Sequence, residues 1–158
     1  MFGLEIAGDR DVSSRHAIAD DWLARLGLEN FGDAYPSQLS GGLSQRVSIS
    51  RAFAIAPELL IGDETFSALD EITAGDVRKD LLRLVHETGR TTIFVTHSIN
   101  EAVDLAERVI VFGRPAHVIG EVNVKDRIAA GDKRSAVAEQ IRELLIEAHQ
   151  KAKFDQAP

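Results

Sequence analysis

Leu59-Leu60-Ile61-Gly62-Asp63-Glu64 is a short apolar run that ends abruptly on two carboxylates. A continuous stretch of this kind reads as a buried parallel strand with acids at its carboxyl end. Further on, Thr91-Thr92-Ile93-Phe94-Val95-Thr96 is a second β-rich run, and His97 follows it at once. Between the two, residues 73–88 carry Val77, Leu81, Leu82 and Val85 at helical spacing and stop before Gly89. Beyond His97, residues 99–106 predict a short helix, Arg108-Val109-Ile110-Val111-Phe112 a third strand, and His117–Val124 a fourth, alternating strand at an edge. Strand, helix, strand, helix, strand predicts an α/β architecture with a parallel sheet.

Upstream the apolar spacing is helical. Residues 13–26 place Ile18, Trp22, Leu23 and Leu26 on one stripe, with Ser13 or Ser14 as the cap and Gly27 as the stop. Leu28–Tyr35 is short, broken by Gly32 and closed by Pro36. Ser40-Gly41-Gly42 then opens a second helical run with Leu43, Val47, Ile49 and Phe53, which Pro57 ends. At the other end, residues 135–150 predict a terminal helix with Val137, Ile141, Leu144 and Leu145 inward. The expected division is a helical lobe over 1–56, a core over 57–124 and a helical tail over 125–158.

Composition narrows the function. The 158 residues are 44% hydrophobic and carry a formal net charge of −7, which describes a globular chain and argues against broad nucleic-acid binding. Zero cysteine excludes disulfides, thiolate metal sites and a cysteine nucleophile. No apolar run is long enough to span a bilayer, and Met1-Phe2-Gly3-Leu4-Glu5 lacks the basic start and apolar stretch of a signal peptide, so a cytoplasmic location is expected. His16, His86, His117 and His149 have no metal-ligand spacing, and Trp22 and Phe31 read as packing for the helical lobe.

Ligands of open parallel α/β sheets bind beyond the carboxyl ends of the strands. Asp63-Glu64 and His97 stand at two such ends. Adjacent carboxylates there point to opposite faces, so one can hold Mg²⁺ through water while the other orients and deprotonates a water. An acidic pair ending a strand is, taken alone, more often a solvated loop start. Two glycines before a helix let a ligand approach the free N–H groups of its first turn, although a plain Ser cap accounts for the same residues.

The longer strings decide between these readings. Leu39-Ser40-Gly41-Gly42-Leu43-Ser44-Gln45-Arg46 resembles the signature motif of ABC transporter ATPases. Leu59–Glu64 resembles their Walker B strand, Ser67-Ala68-Leu69-Asp70 their D-loop, and Val95-Thr96-His97 their switch histidine, in the family's order and at its usual separations. Tyr35-Pro36-Ser37-Gln38 and Arg114-Pro115 further resemble the nitrate, sulfonate and taurine importer branch. The chain departs from the family at Thr65, where Pro is usual, and at Leu43, where Gln or Met is common.

The resemblance implies an incomplete P-loop NTPase fold of the ABC ATPase kind, a helical subdomain plus the C-terminal part of a parallel core sheet. It also implies roles. Ser40, Gly41, Gly42 and Gln45 would contact nucleotide held by an opposite subunit, and Asp70 would serve the dimer interface. Asp63 would hold Mg²⁺ through water, Glu64 would be the general base, and His97 would sense the γ-phosphate. ATP and Mg²⁺ are the implied ligands. The implied partners are a second ATPase subunit and a membrane permease with its solute-binding protein. A P-loop needs Gly-x-x-x-x-Gly-Lys-Ser/Thr, and none of Lys79, Lys125, Lys133, Lys151 or Lys153 follows a glycine. The resemblance therefore places these residues after the phosphate-binding lobe and predicts negligible hydrolysis by them alone. By the same resemblance the core strand over Arg108–Phe112 lacks its neighbour, which predicts open sheet edges and either low stability with aggregation or a rearranged sheet. The rival expectations are a non-catalytic module that binds a complete ATPase or permease, and a decayed fragment without function.

Overall fold

The computed structural model describes Leu4 and residues 11–154, with the side chains of 151–154 outside that description. Two compact units divide the chain, Met1–Val95 and Thr96–Pro158.

The first unit begins with helix α1, Val12–Arg25. Its cap is Asp11, whose Oδ2 accepts from the Ser14 amide at 2.7 Å, not Ser13 or Ser14 as the sequence predicts. Asp caps a helix as well as Ser does, and the helix starts earlier on it. Gly27, with φ of +67°, ends α1 as expected. Two short 3-10 turns, Glu29–Phe31 and Pro36–Gln38, occupy the broken segment. Helix α2 covers Gly41–Ala54 and packs on α1, with the Trp22 and Phe53 rings 5.4 Å apart. Trp22 thus serves the helical packing, and Arg25 lies over its outer face at 5.0 Å. Strand β1, Leu59–Asp63, precedes helix α3, Glu71–Thr88, and strand β2, Thr91–Val95. Gly89, at φ +62°, is the left-handed cap that stops α3. Helix α3 packs on α2 and buries Ala74, Val77, Leu81 and Leu84.

β1 and β2 pair in parallel, with Ile61 opposite Ile93 and Asp63 opposite Val95. The parallel pairing matches the sequence reading; the burial does not. Leu59, Ile61, Ile93 and Val95 share one face and are exposed, Ile61 by 68%. Only the alternate residues Leu60, Gly62, Thr92 and Phe94 are partly covered. The Phe94 ring lies on Gly62, where an added Cβ would fall 2.6 Å from it. A two-stranded parallel pair has one shielded face, so a wholly apolar strand leaves half its side chains out.

The second unit runs through helix α4, Ile99–Leu105, strands β3, Arg108–Gly113, and β4, His117–Asn123, helix α5, Val124–Ala129, and helix α6, Arg134–Phe154. β3 and β4 are antiparallel and joined through the Arg114–Pro115 turn, whose peptide bond is cis. Val103, Val111, Val122, Val124, Val137 and Ile141 form the core of this unit. The sequence reading places Leu145 inward; it is exposed instead. The buried stripe of α6 advances through Val137, Ile141, Leu144 and Ala148, and Leu145 falls beside it.

Candidate functional site

Ser40 caps α2, its hydroxyl accepting from the Leu43 amide at 3.3 Å. That leaves the first turn of a 14-residue helix presenting backbone N–H groups. Neighbours in the same chain crowd the two glycines after it, Gly42 more than Gly41. A Cβ on Gly42 would fall 2.6 Å from the Thr73 methyl, and one on Gly41 would fall 3.1 Å from Leu69. The start of α2 is therefore seated against Leu69, in the loop between β1 and α3, and against Thr73 in the first turn of α3. Gln45 sits half-buried one turn into α2. The next residue, Arg46, reaches Asp80 of α3 at 2.9 Å and ties the two helices together.

The acidic pair sits where β1 leaves the sheet. Asp63 is exposed as the last strand residue. The amide of Glu64 still donates to Val95 O at 2.9 Å, but its backbone has turned left-handed, with φ of +48°. A glutamate in this region is strained, and such strain collects at functional turns. The turn is held by Ser67, whose amide and hydroxyl both donate to Glu64 O, at 3.2 and 2.9 Å, and by Phe66, which is fully buried. The sequence could not show this, because glutamate carries no left-handed signal.

Asp70 closes the loop as the cap of α3, its Oδ1 accepting from the Thr73 amide at 3.0 Å. Hydrogen bonding from Thr73, through its side chain first and then through its backbone amide, holds the Asp70 carboxyl below its ordinary value. A carboxylate with a depressed folded value lends stability above its unfolded pKa and loses it as pH falls through the folded one. Thermal unfolding of the chain and of Asp70→Asn, followed from neutral to strongly acid pH, is expected to show a gap at neutral pH. The gap closes as the wild-type carboxylate protonates; a constant gap would contradict this. Asp70 thus has a structural task whatever else it does.

In the first unit Gly41 and Gly42 lie against Leu69 and Thr73, on either side of Asp70 in the chain, and Asp63 and Glu64 stand at the head of the same loop. His97 belongs to the second unit, exposed and separated from the end of β2 by Thr96. The donor set suits Mg²⁺, a hard cation that keeps waters and phosphate oxygens among its ligands and takes one or two carboxylates from protein. Among the described residues no three His, Cys, Asp or Glu side chains gather as a protein-built metal cage.

Residues 4–67 match the family model of the ABC transporter. A solved inward-facing ABC transporter, named as metal-chelate type, superposes with a TM-score of 0.60 at 31% identity, over 64% of this chain and 41% of its own. The fold class is accordingly α/β, a partial P-loop NTPase core of the ABC ATPase kind.

Among curated relatives, a Brucella abortus protein named for ATP binding is 47% identical over 118 residues, 74% of this chain and 45% of its own length. The bicarbonate transport ATP-binding protein of Synechocystis is 45% identical over 118 residues, 74% of this chain and 42% of its own. The nitrate import ATP-binding protein of Synechococcus elongatus is 41% identical over 115 residues, 72% of this chain and 18% of its own. The chain is thus related to ABC transporter ATP-binding subunits, and it spans less than half the length of these relatives. No helix among the described residues is long and apolar enough to cross a membrane.

Proposed function

We propose that these residues form the signature, Walker B, D-loop and switch half of an ATP-hydrolysing subunit of an ABC importer for nitrate-, sulfonate- or taurine-like solutes. The carrying observation is the left-handed Glu64 turn, which joins the acidic end of a parallel strand to a loop packed against the Ser40–Gly42 helix start. In this reading residues 1–56 are the helical signature subdomain, 57–124 the partial core and 125–158 a helical tail.

Each side chain then has a task. Ser40, Gly41, Gly42 and Gln45 offer N–H and side-chain donors to the γ-phosphate of a nucleotide on the opposite subunit. Asp63 holds Mg²⁺ through water, and the ion, when bound, neutralises phosphate charge. Glu64 accepts a proton from the attacking water, and His97 donates to the γ-phosphate. Asp70 orders the loop at the subunit interface. The chain works beside a second ATPase subunit and a permease with its solute-binding protein, on the cytoplasmic face of the membrane. Phosphoryl transfer depends on positioning, so 158 residues that contain no P-loop motif do not turn ATP over alone.

Capture of the purified chain by a complete homologous ATP-binding subunit is expected with MgATP and not without it, and Ser40→Arg is expected to abolish it. The chain alone is expected to show no tight MgATP binding by calorimetry and no phosphate release. Release by the chain alone that disappears in Glu64→Gln would overturn the inactivity; capture indifferent to ATP would favour the non-catalytic module.

A further inference from the structure

The carboxylate of Glu101 stands out in the second unit. The residue is only 8% exposed, on a seven-residue helix, and no role assigned above uses it. Its Oε2 accepts from the Thr96 hydroxyl at 2.7 Å. That hydroxyl oxygen in turn accepts from the Ser98 amide at 3.0 Å, and the Ser98 hydroxyl accepts from the Glu101 amide at 3.3 Å. The three bonds close a ring around the chain from 96 to 101, and His97 is the residue that this ring straddles. The Thr96-to-Ser98 bond fixes the peptides on both sides of His97, while the buried carboxylate orients the Thr96 hydroxyl so that its oxygen is free to accept. Charge-assisted bonds from a hydroxyl to a carboxylate are the stronger kind, and burial keeps water from replacing them.

We propose that Glu101 is a positioning residue, acting through Thr96 to hold the backbone at His97 in one conformation so that the imidazole is presented ready to meet a phosphate. The proposal rests on the reading of His97 as the γ-phosphate sensor. A buried carboxylate is an expensive way to cap a helix of seven residues when the Ser98 hydroxyl already does so. Its reach to Thr96 places the order one residue before the histidine.

Amide exchange and the histidine ring resonances of the full chain test this by NMR. In Glu101→Ala the Ser98 amide is expected to exchange about tenfold faster, the loss of roughly one net hydrogen bond. The His97 Cε1–H signal is expected to broaden or split. Glu101→Gln, which keeps an acceptor oxygen, should restore both. If Glu101→Ala unfolds the second unit, Thr96→Val carries the test: it keeps the side-chain shape, deletes both Thr96 bonds and should give the same two changes, with Thr96→Ser restoring them. Unchanged Ser98 exchange and a single His97 signal in Thr96→Val overturn the proposal, as do equal losses in Glu101→Gln and Glu101→Ala. If the loop loses order as expected, yet His97→Ala leaves the MgATP-dependent capture intact, the sensor reading falls and the positioning of the 96–98 backbone stands.

Discussion

Phe53→Ala is expected to lower the stability of the first unit by about 3–5 kcal/mol, the usual cost of removing a fully buried aromatic ring. Phe53 is 2% exposed at the end of α2, where its ring meets Trp22 of α1. The deletion empties the seam between those helices, and the short helices around it have little to refill it with. Domains of this size are stable by only about 5–15 kcal/mol, so the loss takes a large share. The unit spans Met1–Val95, and at about 4–8 °C per kcal/mol for a domain of that size its melting midpoint should fall by roughly 20 °C. Phe53→Leu, which keeps most of the volume, should cost under about 1.5 kcal/mol. Tyr35→Ala is the control. Tyr35 is 74% exposed, and its loss should fall within about 0.5 kcal/mol. A Phe53→Ala midpoint within two degrees of wild type, by calorimetry or circular dichroism, would show that the seam carries little of the fold.

The order of elements was legible because each carries its own period. Val77 and Leu81 are buried on α3 as their spacing predicts, while Leu82 and Val85 are only partly covered and Leu84, which that spacing does not name, is buried; the Leu59 and Thr91 runs pair in parallel. Helix ends were legible where glycine or proline marks them, as at Gly27 and Gly89. Legibility failed where a contact between distant residues decides the outcome. Nothing near Gly42 in the chain announces that Thr73 sits where its Cβ would be. An apolar strand declares that its side chains want cover, not that cover is present, and so Ile61 read as buried. The site divides the same way. Its residue types and order are in the sequence, whereas the left-handed backbone of Glu64, the capping task of Asp70 and the ring around His97 are tertiary or local geometry that residue type does not encode.

The uncovered strand face predicts behaviour in solution. Concentrated protein is expected to self-associate, and the double substitution Ile61→Lys with Ile93→Lys to shift the dissociation midpoint toward monomer on the order of a hundredfold. Ile61 and Ile93 are register partners, 68% and 50% exposed, with Leu59 and Val95 flanking them on the same face. Among the described strands, β1 and β2 pair only with each other, so each also has a backbone edge without a strand partner. Edge and apolar face together make a template for another chain. Fully burying an isoleucine is worth about 1.5–3 kcal/mol; scaled to the exposed fraction, the pair is worth about 3 kcal/mol. At 1.4 kcal/mol per tenfold, that is about two decades in dissociation constant. Tyr35→Lys, at the cap of the second 3-10 turn and outside both strands, should leave association unchanged. Sedimentation velocity across the accessible concentration range distinguishes the outcomes. A wild-type chain that stays monomeric throughout, or a double variant that associates as readily as its parent, would remove this face as the cause.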